Sequence, residues 1–234
     1  MGVKRFWEEA RAEECRDGWH VLLDMRPVRT PAGRAVVVPL RALAEEIVAE
    51  WEAQTEFVNP LSMPMTRYAA TCLDRVAPEL DTVAETIAAY GETDLLCYRA
   101  DFPEALVSRQ NAAWDPMLEW ASETFDAKLN VGAGVMHIAQ PPQAVAALRR
   151  EVIAHASWSL TALADLVTIS GSLVLGLAVA RERLGSAEAW RMSRIDEQWN
   201  VDQWGEDHDA AEQAARRESD FQNAARLISM VRGL

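Results

Sequence analysis

The sequence predicts an α+β fold, with a small strand-rich N-terminal domain followed by a larger all-helical C-terminal domain. The strand prediction rests on two β-rich runs, Trp19–Leu23 and Ala35–Val38, which flank a Pro/Gly-rich segment with a turn at "TPAG". The helical prediction rests on apolar residues that recur at helical spacing in most segments after Met65. No internal repeat interrupts this two-part pattern.

The first element is predicted to be a helix. The stretch "VKRFWEEARAEEC", Val3 to Cys15, has an amphipathic pattern, and Asp17-Gly18 is expected to stop it. The two β-rich runs follow and give the clearest hairpin signature in the chain.

A second helix is predicted in "PLRALAEEIVAEWEAQ", where apolar residues lie on one face and acids on the other. The apolar positions are Leu40, Leu43, Ile47 and Trp51. The extended link "TEFVNPLSMP" follows, so we place the domain boundary between Asn59 and Pro64. The two domains would be residues 1–62 and 63–234.

The C-terminal part is predicted to be almost entirely helical. Pro78 should separate its first two helices, and Pro116 should kink or bound a long helix over "EALVSRQNAAWDPMLEWASETF". "TDLLCYRA" and "NVGAGVMHIAQPP" could be short strands or links. Further helices are expected at "QAVAALRREVIAHAS", "SLTALADLVTIS", "SLVLGLAVARERLG", "SAEAWRMSRIDEQWNVDQWG" and "AAEQAARRESDFQNAARLISMV".

The net charge excludes several partners. The 234 residues carry a formal charge of −13, which disfavours nucleic acid and anionic membrane surfaces, because both require a surplus of Lys and Arg. The longest apolar run, "LADLVTISGSLVLGLAVA", contains Asp165, Ser170, Gly171 and Ser172 and is predicted to be a pair of buried helices, not a membrane span. A protein with basic patches is the expected partner.

The cysteines and the N-terminus favour a reducing compartment. Three cysteines without CxxC spacing do not suggest a disulfide framework or a zinc knuckle. "MGVKRFWEEARAEE" has no apolar core of a secretory signal, and its acids are atypical of a transit peptide. We therefore expect a soluble intracellular protein.

Motifs of enzyme chemistry are missing from the sequence. It contains no GxSxG, no GxxxxGK[ST], no GxGxxG and no HExxH, and its four histidines are scattered. Cys72 and Cys97 have apolar neighbours typical of inert buried thiols. Glu151 and His155 lie one helical turn apart and could share a ligand, although a simple side-chain contact is commoner. We predict no enzyme activity, cofactor or metal.

The most unusual segment is "DEQWNVDQWGEDHDAAE", which has seven acids and two tryptophans but no Lys or Arg. If it forms one helix, Asp202, Glu206 and Asp209 make a single negative stripe. Glu197, Val201, Trp204 and His208 would form the neighbouring stripe.

Two interpretations of this segment remain open. The charged face could simply be solvated, with Trp199 and Trp204 turned into the core. Alternatively, indole anchors rimmed by acids could bind a basic partner. The candidate partner-binding residues are Glu197, Trp199, Asp202, Trp204, Glu206 and Asp209.

Eight segments, in this order and spacing, resemble the assembly chaperones that bind the free alpha subunit of the ATP synthase catalytic head. They are "KRFW", "DGWHVLLDMRPVRTPAGRAVVVP", "LAEEIVAEWEAQ", "MPMTRYAATCLDRV", "ETDLLCYRAD", "RQNAAWDPMLEW", "SGSLVLGLAV" and "EQWNVDQWGEDHDA". The resemblance covers nearly the whole chain apart from the stretch around Asn130 to Arg150 and the last turns.

The resemblance implies a chaperone without ATPase activity. Such a protein would shield the apolar interface of the unassembled alpha subunit and release it to the beta subunit. The family's functional acid would fall at Glu197, with Asp202 and Asp209 as alternates, although "QWN" at residues 198–200 departs from the expected Tyr and Gln. The implied setting is the bacterial cytoplasm, or the mitochondrial matrix in eukaryotic relatives, and a monomer is the simplest expectation.

Two alternatives accompany this hypothesis. One is a metal-dependent hydrolase that uses the acidic cluster around Asp207. The other is a structural adaptor with a different partner. The binding surface is also open, since it could instead include Met63, Met65 and the strand edge near Val36–Val38. For the two methionines, core filling is the competing interpretation.

Overall fold

The structure, a computed structural model, describes residues 3–233. Its strands are β1 (Ala10–Cys15), β2 (Gly18–Leu23), β3 (Arg26–Pro27), β4 (Val37–Val38), β5 (Tyr98–Arg99) and β6 (Gly132–Ala133). Its α-helices are α1 (Arg41–Glu52), α2 (Pro64–Thr71), α3 (Leu80–Ala88), α4 (Glu104–Phe125), α5 (Pro142–Ile153), α6 (Ser157–Ser170), α7 (Leu173–Ala180), α8 (Ser186–Ser193), α9 (Ile195–Trp204) and α10 (His208–Met230). The predicted α+β class is confirmed, and the C-terminal part is helical except for β5 and β6, which form a short parallel pair.

The N-terminal sheet is built around β2, which pairs antiparallel with β1, β3 and β4. The predicted helix over Val3–Cys15 is wrong, because residues 10–15 of that stretch form β1. In the β1–β2 hairpin Ala10 faces Leu23 and Cys15 faces Gly18, so the predicted helix stop is a two-residue turn. Pairing with an apolar strand outweighs the helix propensity of an Ala/Glu-rich segment.

Glycine is required at the start of β2. Gly18 has φ +136°, and a Cβ at this position would overlap the carbonyl oxygen of Val38 in β4. The two β-rich runs predicted from sequence therefore come together, with Trp19 facing Val38. The short β3 pairs with the far end of β2.

Helix α1 covers one face of this sheet. Leu43 and Ile47 are buried against it, as the apolar spacing predicted, while Leu40 and Trp51 are half-buried at the two ends. The Glu52 carboxylate accepts a hydrogen bond from the backbone N–H of Ala10, which joins the helix to the edge of β1.

The helical part is organised around α6 and α7. Helix α10 packs along α6, and α3 packs on α5. Gly171, with φ +74°, ends α6 and lets the chain turn into α7, so the predicted buried helix pair is confirmed. Within residues 3–233 no helix has the length and apolar character that crossing a membrane requires.

Two helix boundaries differ from the prediction. Helix α4 continues through Pro116, which therefore does not bound it. Trp114 and Met117 on either side of this proline are buried in the core and anchor that part of the helix. The predicted single helix over "SAEAWRMSRIDEQWNVDQWG" is instead divided into α8 and α9 at Arg194.

One continuous hydrophobic cluster extends from Trp7 to Val231. Met63 and Met65 belong to the buried interior, each no more than 2% exposed, and Val36 and Val38 are equally buried. These residues cannot contact a partner from within the core. The second candidate surface is therefore wrong, and the two methionines fill space in the interior.

Candidate functional site

The acidic segment forms a bent unit, which we call the acidic elbow: residues 196–212, comprising most of α9, a three-residue turn and the first turns of α10. It begins just after the break at Arg194. The Ser193 hydroxyl donates to the Trp190 carbonyl (2.8 Å), and the Trp114 indole donates to the Met192 carbonyl (2.9 Å). Side chains that bond these carbonyls compete with a continuous helical ladder.

The bend itself lies at Gly205. This residue has φ +87° and ψ 170°, which ends α9, and the carboxylate of Asp207 then caps α10 by accepting the Ala210 N–H at 2.8 Å. The predicted stripe of Asp202, Glu206 and Asp209 is therefore wrong, because these residues do not lie on one helix.

The neighbouring stripe fails for the same reason. Glu197, Val201 and Trp204 lie in α9, but His208 begins α10 on the other side of the bend. The acids of the elbow thus lie on both sides of the bend instead of following one helical face.

The two indole rings have different environments. Trp199 is half-buried and packs against the hydrophobic core. Trp204 is 80% exposed at the last residue of α9, so the interpretation that turns both rings into the core is wrong for Trp204. A large apolar side chain thus projects into solvent at the tip of the elbow, beside Gly205.

Helix α4 holds α9 in place through polar contacts. The Gln110 side chain, only 1% exposed, donates to Asp196 at 2.6 Å and accepts the Ala100 N–H at 2.8 Å. Arg109 pairs with Asp202 at 2.9 Å, and Gln198 also donates to Asp202 at 2.9 Å. The hydrogen bonds from Gln198 and Arg109 lower the pKa of Asp202, so this carboxylate is charged at neutral pH.

The remaining candidate acids differ from Asp202. Glu197, Glu206 and Asp209 are exposed, and within the described range 3–233 none of the three makes an ion pair, whereas Glu212 pairs with Arg216. Three negative charges without an ion-pair partner in residues 3–233 therefore lie in the same elbow as the exposed Trp204 ring: Glu197 in the first turn of α9, and Glu206 and Asp209 just after Gly205. A surface of this kind attracts basic groups and offers one apolar anchor.

Several residues that shape the site were not predicted from the sequence. Gly205 followed by Asp207 is a helix-stop and N-cap signal that could have revealed the bend. No sequence signal connects Arg109, Gln110 and Trp114 with α9, because they lie in a different helix far away along the chain.

The described residues 3–233 offer no arrangement of side chains that supports the hydrolase alternative. Among residues 3–233 no group of three or more His, Cys, Asp or Glu side chains is arranged to hold a metal ion. The Asp207 carboxylate is occupied as a helix cap. Burial raises the pKa of the Cys72 thiol and raises that of Cys97 to about 12, so neither thiol readily forms the reactive thiolate.

Known proteins that are similar to this chain all point to one family. The ATP12 chaperone protein family matches residues 4–122. The crystal structure of Atp12 from Paracoccus denitrificans is 44% identical, with a TM-score of 0.94 and coverage of 98% of both chains. The structure of Atu1473 from Agrobacterium tumefaciens is 40% identical, with a TM-score of 0.92 over 97% of this chain and 85% of that one.

A more distant relative comes from a eukaryote. The mitochondrial protein atp12 of Schizosaccharomyces pombe is 24% identical over 225 residues, which cover 89% of this chain and 76% of that protein. The family match spans more than half of the chain, and the bacterial structures are similar to it in both fold and sequence. The chain therefore belongs to the ATP12 chaperone protein family, whose members serve in ATP synthase assembly.

Proposed function

We propose that this protein binds the unassembled alpha subunit of the ATP synthase catalytic head and protects it until the beta subunit takes its place. An isolated subunit of an oligomer exposes apolar interface that promotes aggregation. A chaperone that covers this surface needs no nucleotide, since the beta subunit displaces it by binding more tightly. The protein acts in this proposal as a monomer in the bacterial cytoplasm, without ATPase activity.

We assign partner binding to the acidic elbow, through Glu197, Asp202, Trp204, Glu206 and Asp209, with Trp199 supporting the helix from below. The observation that carries this assignment is the 80% exposure of Trp204. A ring left in water contributes none of the stabilisation that its burial would give to folding, whereas Trp is strongly enriched among residues that dominate binding energy.

The charges around Trp204 suit a reversible complex. Rim acids speed association with a basic surface and fix its orientation, but they add little to the lifetime of the complex. A single apolar anchor with a polar rim is typical of transient interfaces, whereas permanent ones are larger and more apolar. The chaperone can therefore shield the alpha subunit and still release it to the beta subunit.

The experiment is an aggregation assay with purified alpha subunit. We expect this protein to keep the subunit soluble at a near-stoichiometric ratio without ATP, and to form a complex on gel filtration. Adding the beta subunit should then displace it. Aggregation at the same rate as with serum albumin, together with no complex, would exclude the proposed function.

A further inference from the structure

A cavity of about 520 Å³ opens beside the acidic elbow, between α4, α8 and α9. We call it the arginine cleft. Its apolar lining comes from Ala113, Trp190, Met192 and Ile195. Its polar lining comes from Arg109, Arg191, Arg194, Glu188, Gln198 and Asp202. Three guanidinium groups and two carboxylates thus face one apolar floor, in a protein whose overall charge is −13.

The arginines of the cleft are not equally neutralised. Arg109 is paired with Asp202 at 2.9 Å. For Arg191 and Arg194, no carboxylate of residues 3–233 lies within salt-bridge distance. Two positive charges in the cleft therefore have no anionic partner within the part of the chain that the structure describes.

Each of these guanidinium groups has a contact within the protein, and that of Arg194 is with an aromatic ring. Arg194 lies over the Trp190 ring at 5.1 Å from its centroid, and Arg191 Nε donates to the Ala187 carbonyl at 3.3 Å. Trp190 is itself 5% exposed and fixed against Phe221. An arginine stacked on a fixed aromatic ring loses less entropy when it binds a carboxylate, and its planar fork matches the two carboxylate oxygens.

We propose that the arginine cleft receives an acidic side chain of the client, with an adjacent bulky apolar side chain filling the space above Ala113 and Met192. The two arginines without an ion-pair partner attract a carboxylate by charge complementarity, while the apolar lining favours an apolar neighbouring side chain. Together with the acidic elbow, the cleft specifies a segment in which an acid is flanked by basic residues. This inference rests on the proposed function, because it assigns the segment to the client.

The test uses short fluorescent peptides of equal length that differ at one central position, which is Glu, Gln or Lys, next to a Leu or Phe and between flanking Lys residues. We expect the Glu peptide to bind the wild type more tightly than the Gln and Lys peptides in fluorescence anisotropy. The R191Q/R194Q variant should weaken binding of the Glu peptide by about tenfold or more, since the carboxylate then loses both of the cationic groups that attract it.

Two further variants control the result. R150Q/R183Q removes the same charge from exposed positions outside the cleft and should leave peptide binding unchanged. Ala113→Trp fills the cavity without changing its charge and should also weaken binding. Circular dichroism verifies folding of each variant, and Ala113→Trp decides the matter if R191Q/R194Q does not fold.

The outcomes separate this inference from the proposed function. If the wild type binds the alpha subunit but does not prefer the Glu peptide, the cleft proposal is overturned and the chaperone proposal stands. If it prefers the Glu peptide through the cleft but forms no complex with the alpha subunit, the cleft chemistry is supported and the client assignment is overturned. The wild type could instead form dimers whose fraction rises with concentration. If both R191Q/R194Q and Trp204→Ala abolish these dimers, the occupant of the cleft is a second copy of this chain, and the proposal is overturned.

Discussion

The guanidinium of Arg109 in α4 lies 2.9 Å from the carboxylate of Asp202 in α9, although the two residues are 93 positions apart. Both side chains are partly exposed, at 42% and 44%. Exposed pairs of this kind add little to global stability because water screens them. The contact instead fixes the position of α9, and with it the elbow and the arginine cleft.

Replacing Arg109 with Gln should loosen α9 without unfolding the protein. We expect several-fold faster amide hydrogen exchange across residues 196–204 and almost the same melting temperature, because α9 loses one of its few contacts with α4. Arg216→Gln, which removes the pair with Glu212 in α10, is the control and should leave exchange in α9 unchanged. A large fall in melting temperature for Arg109→Gln would show that the pair supports the whole fold.

Replacing Trp204 with Ala should affect binding but not folding. The ring is 80% exposed, so its removal leaves the core intact, and we expect the affinity for the alpha subunit to fall by about tenfold or more. Trp199→Ala should instead lower the free energy of unfolding by about 2 kcal/mol, since this ring packs on the core. Calorimetric titration and thermal melts measure the two effects; equal binding by Trp204→Ala would contradict the assignment.

Reversing the charge of Glu197 should weaken the complex at an unchanged melting temperature. Glu197 is exposed in the first turn of α9, where it faces solvent and is available to a basic partner. Glu119→Lys makes the same charge change on the exposed side of α4 and is the matched control. If Glu197→Lys unfolds the protein while Glu119→Lys does not, Glu197 has a structural role.

Replacing Asp94 with Ala should strongly destabilise the fold. This fully buried carboxylate accepts hydrogen bonds from Leu96 N (2.9 Å), Ser172 Oγ (2.8 Å) and Val174 N (2.9 Å). Its removal leaves buried donors without a partner, so we expect a loss of about 3 kcal/mol or more in chemical denaturation. Asp81→Ala, at an exposed position in the first turn of α3, is the control; a similar small loss in both variants would contradict this account.

His155 should make the protein less stable in mild acid. Burial, and secondarily the nearby Arg181, lowers the pKa of this imidazole from its ordinary value of 6.5. The unfolded chain therefore binds the proton more readily, and stability that is complete above 6.5 is lost as the pH falls below it. His155→Gln should reduce this loss, whereas Ser159→Ala, which alters the same cavity without a titrating group, should retain it. Parallel pH profiles for wild type and His155→Gln in urea denaturation would refute the prediction.

Local patterns in the sequence determined much of the fold. The spacing of Leu43 and Ile47 placed the buried face of α1, and the polar interruption in the longest apolar run identified α6 and α7 as a helix pair. These predictions are confirmed because each depends on residues close together in the chain. The division of the chain at residue 62 stays a prediction.

Predictions failed where distant residues decide the conformation. The Ala/Glu-rich stretch before Cys15 has the propensity of a helix, yet it forms a strand that pairs with β2. The helix through residues 186–205 is interrupted at Arg194, where Trp114 from α4 takes the Met192 carbonyl. The local sequence pattern does not reveal the pairing with β2 or the hydrogen bond from Trp114.

The sequence by itself identified the family resemblance, the acidic segment and its two tryptophans. Only the tertiary structure decided that Trp199 packs inward and Trp204 faces solvent, and that the acids surround a bend instead of forming a stripe. The physical reason is that the exposure of a side chain depends on what packs against its helix. Here that is α4, whose contacts through Arg109 and Gln110 fix the position of α9.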